Sequence, residues 1–236
     1  MPVTNSQVPL YIQIKSSLKD KIKNNTYLVG QKIPTEIELE ELYGVSRVTV
    51  RKAINELVSE GYLIKKQGKG TFVNHKRVSR KLSYVMAFSQ SCLKNGLQPS
   101  SEVLEKRIML PTPEIAEKLQ IDLDDEVLYI QRKRFADGIP IFLENNYFSL
   151  KDFSFLMEEN LEGSLYNILE KRGIKAENSD AKTLEIVLAD DKLATLMSLP
   201  VGTAFFYLNV RISDQNNKPI HVGHQYYLGE YYKFDM

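Results

Sequence analysis

Two pairs of arginines are spaced for recognition of something negatively charged. Arg47 and Arg51 lie four apart in "VSRVTVRKAINEL". Val50, Ala53, Ile54, Leu57 and Val58 recur there at helical spacing and claim the buried side, leaving Arg47, Val48, Arg51, Lys52 and Asn55 to point outward. Two arginines near the N-terminal end of an exposed helix face suit base edges in a DNA major groove, where arginine forks onto guanine. An ordinary solvated helix face explains the same residues. The adjoining segment weighs against that reading: in "GYLIKKQGKGTFV" two short strands flank Gln67, Gly68, Lys69 and Gly70, and Lys65 and Lys66 add charge. Such a basic, glycine-containing hairpin can approach phosphate closely or enter a minor groove.

The second pair is Arg132 and Arg134 in "YIQRKRFADGIPIFLE", on one face of a strand with Lys133 on the other. A three-residue loop Ala136-Asp137-Gly138 pairs Phe135 with Ile139 and sets Glu144 on the arginine face, whereas a two-residue loop reverses that. Two arginines on one face can chelate a phosphate or carboxylate, with Glu144 accepting hydroxyl or amine protons; a salt-bridged exterior face accounts for them equally well. Ser164 heads "SLYNILEKRG" and Ser89 precedes "QSCLKNG". Both suit an anion at a helix start, and both suit plain N-capping.

The elements that must hold these residues are legible. Pro9 opens a helix with an apolar stripe of Leu10, Ile14, Leu18 and Ile22, beside Tyr11, running through Asn25. Thr35 and Glu38 have capping-box spacing, and Leu39, Leu42 and Tyr43 form the buried side of a second helix that Gly44 ends. Ser46 caps the third helix, so the pattern is helix, glycine turn, helix, wing. In the C-terminal half, "EIAEKLQIDLDDEVLYIQRKRFADGIPIFLENNYF" and "KLATLMSLPVGTAFFYLNVRISDQNNKPIHVGHQYY" repeat one another. Ala116 and Ala194, Leu119 and Met197, and Tyr129 and Tyr207 lie 78 apart, and Pro140 and Pro219 lie 79 apart. Each copy reads as a short helix followed by an antiparallel hairpin, an α+β arrangement able to enclose a cleft.

Composition limits what these elements can serve. The 236 residues are 43% hydrophobic and 26% charged, enough for two domains. Residues 1 to 82 carry 15 Lys and Arg against 7 Asp and Glu, a net +8, while residues 83 to 236 carry 16 against 23, a net −7. Only the first part attracts polyanions. The divide falls in "NHKRVSRKLS", Asn74 to Ser83, which reads as a polar linker and gives expected domains of 1–73 and 84–236. The start lacks the basic flank and apolar core of a signal peptide, and no run approaches the roughly 20 apolar residues of a membrane span. One cysteine, Cys92, and three histidines offer neither a disulfide nor zinc spacing, so the expectation is a reducing cytoplasm with no metal or cofactor. No catalytic pairing of Ser, Cys or Asp with His occurs at a motif spacing, and His221 and His224, three apart in a strand, face opposite sides.

"PLYIQI", "KIPTEIELEELYGVSRVTVRKAINEL" and "GYLIKKQGKGTFV" resemble the winged helix-turn-helix domain of GntR-type bacterial transcription regulators. The resemblance implies DNA contacts from Ser46, Arg47, Thr49, Arg51 and Gly68; Lys52 on the outward face and Gln67 and Lys69 in the wing complete the expected set. Ile37 and Glu40 stand where many members have arginine and alanine. "AFSQ", "LYIQRKRFADGIPIFLENNYF", "GSLYNIL" and "YYLGEYYKF" resemble the effector-binding domain of the HutC-type branch, a chorismate-lyase-like fold. In sugar-phosphate-sensing members the positions of Ser89, Arg132, Arg134, Glu144, Ser164, Tyr166 and Tyr227 line the pocket, whereas Leu228 and His221 replace an arginine and an acidic residue. The resemblance implies a ligand-responsive repressor, a homodimer on operator DNA, sensing a small anion such as a sugar phosphate. An enzyme or a non-sensing binding protein of lyase-like fold is the alternative, and a purely architectural DNA protein would not need the acidic second domain.

Overall fold

The computed structural model describes residues 8–24, 26–74 and 77–235. The chain divides into two compact units, Met1–Lys76 and Arg77–Met236.

The first unit holds helices α1 (Leu10–Lys23), α2 (Glu36–Tyr43) and α3 (Arg47–Ser59), then a hairpin of β1 (Leu63–Lys66) and β2 (Gly70–Val73). Pro9 stands just ahead of α1 as its N-cap, and Asn25, the expected end of that helix, lies outside the described residues. The capping box forms as spaced: Thr35 Oγ1 accepts from the Glu38 N–H at 3.3 Å, and the Thr35 N–H donates to Glu38 Oε2 at 2.6 Å. Gly44 ends α2 in the left-handed conformation (φ 65°), which turns the chain into Ser46 and α3. Ile14, Leu18, Leu39, Tyr43, Val50, Ala53, Ile54 and Leu57 close one core, capped from the hairpin by Leu63 and Val73. Leu42, expected inside, is 47% exposed, because a helix of eight residues turns only a narrow stripe toward its neighbours.

In the second unit, β4 (Pro99–Met109), β5 (Val127–Ala136), β6 (Ile139–Ser149), β9 (Pro219–Leu228), β8 (Ala204–Ser213) and β7 (Asn178–Leu188) form one sheet in that order, every neighbour antiparallel. Four short helices, α4 (Phe88–Lys94), α6 (Leu150–Phe153), α7 (Leu165–Glu170) and α8 (Asp191–Met197), contribute to its main core, while α5 (Pro113–Leu119) packs Ile115 and Leu119 on Val127 and Val222. Much of the stretch read as linker is built into this unit. Val78–Lys81 is a strand, β3, paired in parallel with β10 (Tyr232–Asp235), and Val78 is fully buried. His75 and Lys76 lie outside the described residues. The residues "VSRKL" alternate inward and outward, a period-2 signal too short to stand out among basic residues.

The internal repeat appears as a pseudo-two-fold in the sheet order, with its axis between β6 and β9 at the Asn145–His224 pair, themselves 79 apart. Helices α5 and α8 both end on a left-handed non-glycine residue, Gln120 (φ 58°) and Ser198 (φ 55°), and the bulges at Arg134/Phe135 and Ile212/Ser213 also correspond. Of the two loop lengths the sequence allows, β5 and β6 are joined by the shorter. Ala136 pairs with Ile139 across a two-residue turn, Asp137 (φ 50°) and Gly138 (φ 80°), the positive pair a tight hairpin demands. The bulge then supplies one extra residue on β6, so Phe135 faces Pro140, Arg134 faces Phe142 and Arg132 faces Glu144. Glu144 therefore reaches the arginine face by a different route from the one expected.

Candidate functional site

In the first unit, α3 and the hairpin present the DNA-facing candidates. Arg47, Val48, Arg51 and Lys52 are exposed on α3, Val48 by 78%, and Thr49 is half-buried. Ser46 does not cap α3 through its side chain; its Oγ lies 2.9 Å from Thr49 Oγ1. Glu36 of α2 holds the two arginines: its Oε2 accepts from Arg47 Nε at 3.3 Å and from Arg51 Nε and Nη2 at 3.2 and 3.1 Å. These hydrogen bonds, from Arg51 first, hold the Glu36 carboxyl below its ordinary pKa against the effect of its partial burial. Lys52 sits 3.8 Å from the centre of the Tyr11 ring, and Lys65 donates to Asn55 Oδ1 at 2.8 Å. Gln67, Gly68 and Lys69 are exposed at the hairpin tip, where Gly68 takes φ 71°. Gly70 has a structural reason as well: it takes φ 118°, a backbone conformation that residues with a Cβ rarely adopt.

In the second unit, Arg132, Arg134, Phe142, Glu144, Asn146, His221 and Gln225 share one face of the sheet and line a cavity with Ser164 and Tyr166. One carboxylate serves both arginines. Glu144 Oε1 is ion-paired with Arg132 Nη2 and accepts from Arg134 Nη1 at 3.0 Å, all three groups being buried. Arg132 Nη1 also donates to the carbonyls of Leu161 and Gly163 at 2.9 and 3.3 Å, and Arg134 Nη2 donates to Ser89 Oγ at 3.3 Å. Burial by itself raises the Glu144 pKa, but Arg132 and Arg134 more than offset it and keep it an anion. Burial brings Arg132 down to about 10, so it remains a cation at neutral pH. Neither arginine Nε has a partner, nor does Asn146 Oδ1 or His221 Nδ1.

The expected pocket residues are placed unequally. Ser164 lines the cavity and caps α7, accepting from the Asn167 N–H at 3.4 Å. Ser89 lies inside the first turn of α4, whose N-cap is Ala87, and it reaches the site only through Arg134. Tyr166 lies 3.2 Å from His221 Nε2. Tyr227 is not itself in the cavity wall: it is fully buried on the same sheet face as Phe142 and Gln225, stacked on Phe142 at 4.3 Å and 4°, and its hydroxyl donates to Gln225 Oε1, so it backs two residues of the wall. His221 and His224 do face opposite sides, and burial drives the His221 pKa down to about 4, leaving a neutral ring beside Tyr166. Sequence reasoning missed Arg80, Phe88, Asn146 and Gln225 in the walls. The cavity is partly open and its narrow interior, about 30 Å³, is the size of one or two waters.

Among the described residues no group of three or more His, Cys, Asp or Glu could hold a metal ion, and no helix is long and apolar enough to cross a membrane.

Residues 10–73 match the model of the gntR family of bacterial regulatory proteins, and residues 94–233 match that of the UTRA domain. The chain is 36% identical over 217 residues to the HTH-type transcriptional regulator YurK of Bacillus subtilis, covering 92% of this chain and 90% of that one. It is also 36% identical over 214 residues to a probable fructoselysine utilization operon transcriptional repressor of Escherichia coli, covering 90% and 88%. Among solved structures, PhnF from Mycobacterium smegmatis superimposes with a TM-score of 0.75 at 25% identity, over 94% of this chain and 97% of that one.

Proposed function

Because the chain belongs to the gntR family of bacterial regulatory proteins and carries a UTRA domain, a transcription regulator rather than an enzyme, we propose that it is a repressor whose grip on operator DNA is set by a phosphorylated sugar. Arg47 and Arg51 read base edges, Ser46, Thr49 and Lys52 steady the helix on the backbone, and Gln67, Gly68 and Lys69 bring the hairpin to the adjacent groove. A homodimer on two half-sites matches this use of a single recognition helix per chain. The repression takes place on DNA in the cytoplasm.

The observation that carries the anion reading is the charge imbalance at Glu144. Two buried guanidinium groups share one carboxylate, and each keeps an unpartnered Nε–H. A phosphate entering beside them would satisfy donors that now lack acceptors, with Ser164 and Tyr166 supplying hydroxyls. The name of the Escherichia coli relative concerns fructoselysine utilization, which supports a sugar-derived metabolite here. Ligand must favour one arrangement of the DNA-reading units over another, since equal affinity for both shifts nothing.

The test uses the full chain and an operator selected from random duplexes. Phosphorylated hexoses, but not their unphosphorylated counterparts, should change operator affinity, and Arg134→Ala should abolish that response while operator binding persists. An equal response from wild type and Arg134→Ala would place the effector elsewhere. Light scattering of the same protein checks the dimer.

A further inference from the structure

Strand β3 brings a third guanidinium to the cavity. Arg80 lines it together with Arg132, Arg134, Glu144 and Tyr166, and its guanidinium carbon lies 5.1 Å from the centre of the Tyr227 ring. Arg132 and Arg134 both have Glu144; among the described residues no carboxylate lies within ion-pair distance of Arg80. Burial disfavours the Arg80 charge, and the surrounding tyrosines, with Glu144 at longer range, outweigh that, so Arg80 stays a cation with no carboxylate of its own. The aromatic face supplies part of that attraction, and Tyr227 is fixed in place by its stack on Phe142. Counting the cavity wall, three arginines less one glutamate leave +2, with His221 neutral. A phosphate monoester carrying two negative charges balances that sum, and a carboxylate leaves half of it uncompensated.

The position of Arg80 in the chain adds a second consequence. β3 is the first element after the boundary between Lys76 and Arg77, and it is held to β10 by the Val78 N–H to Tyr231 O (2.7 Å) and the Leu82 N–H to Asp235 O (3.3 Å). Arg80 and Phe234 are paired at its centre, and Phe234 stands edge-on to Tyr227 at 5.2 Å. We propose that Arg80 is a direct anion ligand, the third cation of the pocket, so that occupancy firms the β3–β10 pair at the point where the chain passes to the DNA-reading unit. This rests on the reading of the cavity as an anion pocket.

The experiment compares wild type, Arg80→Met and Arg80→Lys in the full chain, with glucose 6-phosphate, inorganic phosphate and glucuronate as probes. Calorimetry should show the two phosphate probes binding Arg80→Met about tenfold or more weakly than wild type, with part of the loss recovered in Arg80→Lys. The preference for glucose 6-phosphate over glucuronate should shrink in Arg80→Met. Hydrogen exchange of the amides of residues 78–82 should slow on adding glucose 6-phosphate to wild type and not in Arg80→Met. Equal phosphate affinity in wild type and Arg80→Met overturns the assignment, as does probe-induced protection of β3 that survives in Arg80→Met. If folded wild type binds neither phosphate probe, the anion pocket itself falls, and Arg80 with it. Should Arg80→Met lose cooperative unfolding, Arg80→Gln carries the same comparison.

Discussion

Glu36 Oε2 lies 3.1 Å from Arg51 Nη2, and the same oxygen accepts from Arg47 Nε, so a carboxylate on α2 fixes both outward arginines of α3. Long side chains held in this way lose less freedom on docking than free ones. Each arginine retains N–H groups that Glu36 does not occupy, and on the proposed function these are the donors that would meet guanine edges.

Arg47→Ala and Arg51→Ala should each weaken a selected operator by ~1–3 kcal/mol and relax base preference at the contacted position. Lys69→Ala should weaken all duplexes alike and flatten the salt dependence by about one unit of slope. Fluorescence anisotropy at several salt concentrations separates the two effects.

Glu36→Gln removes the negative charge that steadies the arginines. Binding to random duplex should tighten, because a repulsive carboxylate near the phosphates is gone, while the ratio of operator to random affinity should fall. Competition titrations measure that ratio, and a ratio equal to wild type would deny Glu36 its positioning role.

Glu144→Ala leaves Arg132 and Arg134 buried without their shared counter-charge. Breaking such a pair costs ~3–5 kcal/mol of unfolding free energy, far more than loss of an exposed pair such as Arg172–Glu159. Urea unfolding of Glu144→Ala beside Glu159→Ala provides the comparison.

His221 gives the second unit a pH signature. Its folded pKa is about 4 against an ordinary 6.5, because burial outweighs the attraction of Glu144. Between those values the unfolded chain binds the extra proton, so the contribution of His221 is whole above pH 6.5 and declines as the pH falls toward 4, by up to ~3 kcal/mol. His221→Phe, which installs the residue found at the repeat-related Phe142, should flatten that part of the stability curve by about one proton. Urea melts from pH 7 down to pH 4.5 test it.

The first unit is readable from sequence because local signals decide it. Thr35 with Glu38, Gly44 and the apolar spacing of α3 each act within a few residues and agree with one another, while Ser46 takes the N-cap position without making the cap bond. The pocket is readable only in part. Arg132 and Arg134 follow from strand alternation, but Glu144 arrives opposite Arg132 by a two-residue turn plus a bulge, two departures that cancel. Arg80 is hidden because its strand pairs with β10, more than 150 residues away, and no local pattern reports such a partner. Tyr227 shares the sheet face of Phe142, Glu144 and Gln225, as strand parity indicates, but Phe142, Tyr232 and Phe234 enclose it, so it backs the wall instead of lining it, a packing relation that parity alone does not disclose.

The sheet is built twice but charged once. At the positions related by the repeat, 78 or 79 residues on, Arg132 and Arg134 become Val210 and Ile212, and Glu144 becomes Gly223. Val210 and Ile212 are buried apolar residues that offer an anion no donor. If the arginine pair is the anion seat we propose, duplication has not doubled it: saturation should come at one equivalent of ligand per chain, and a two-chain assembly should take up two. Any dependence of the second uptake on the first should then pass between chains, because the repeat-related positions offer no second arginine pair within one.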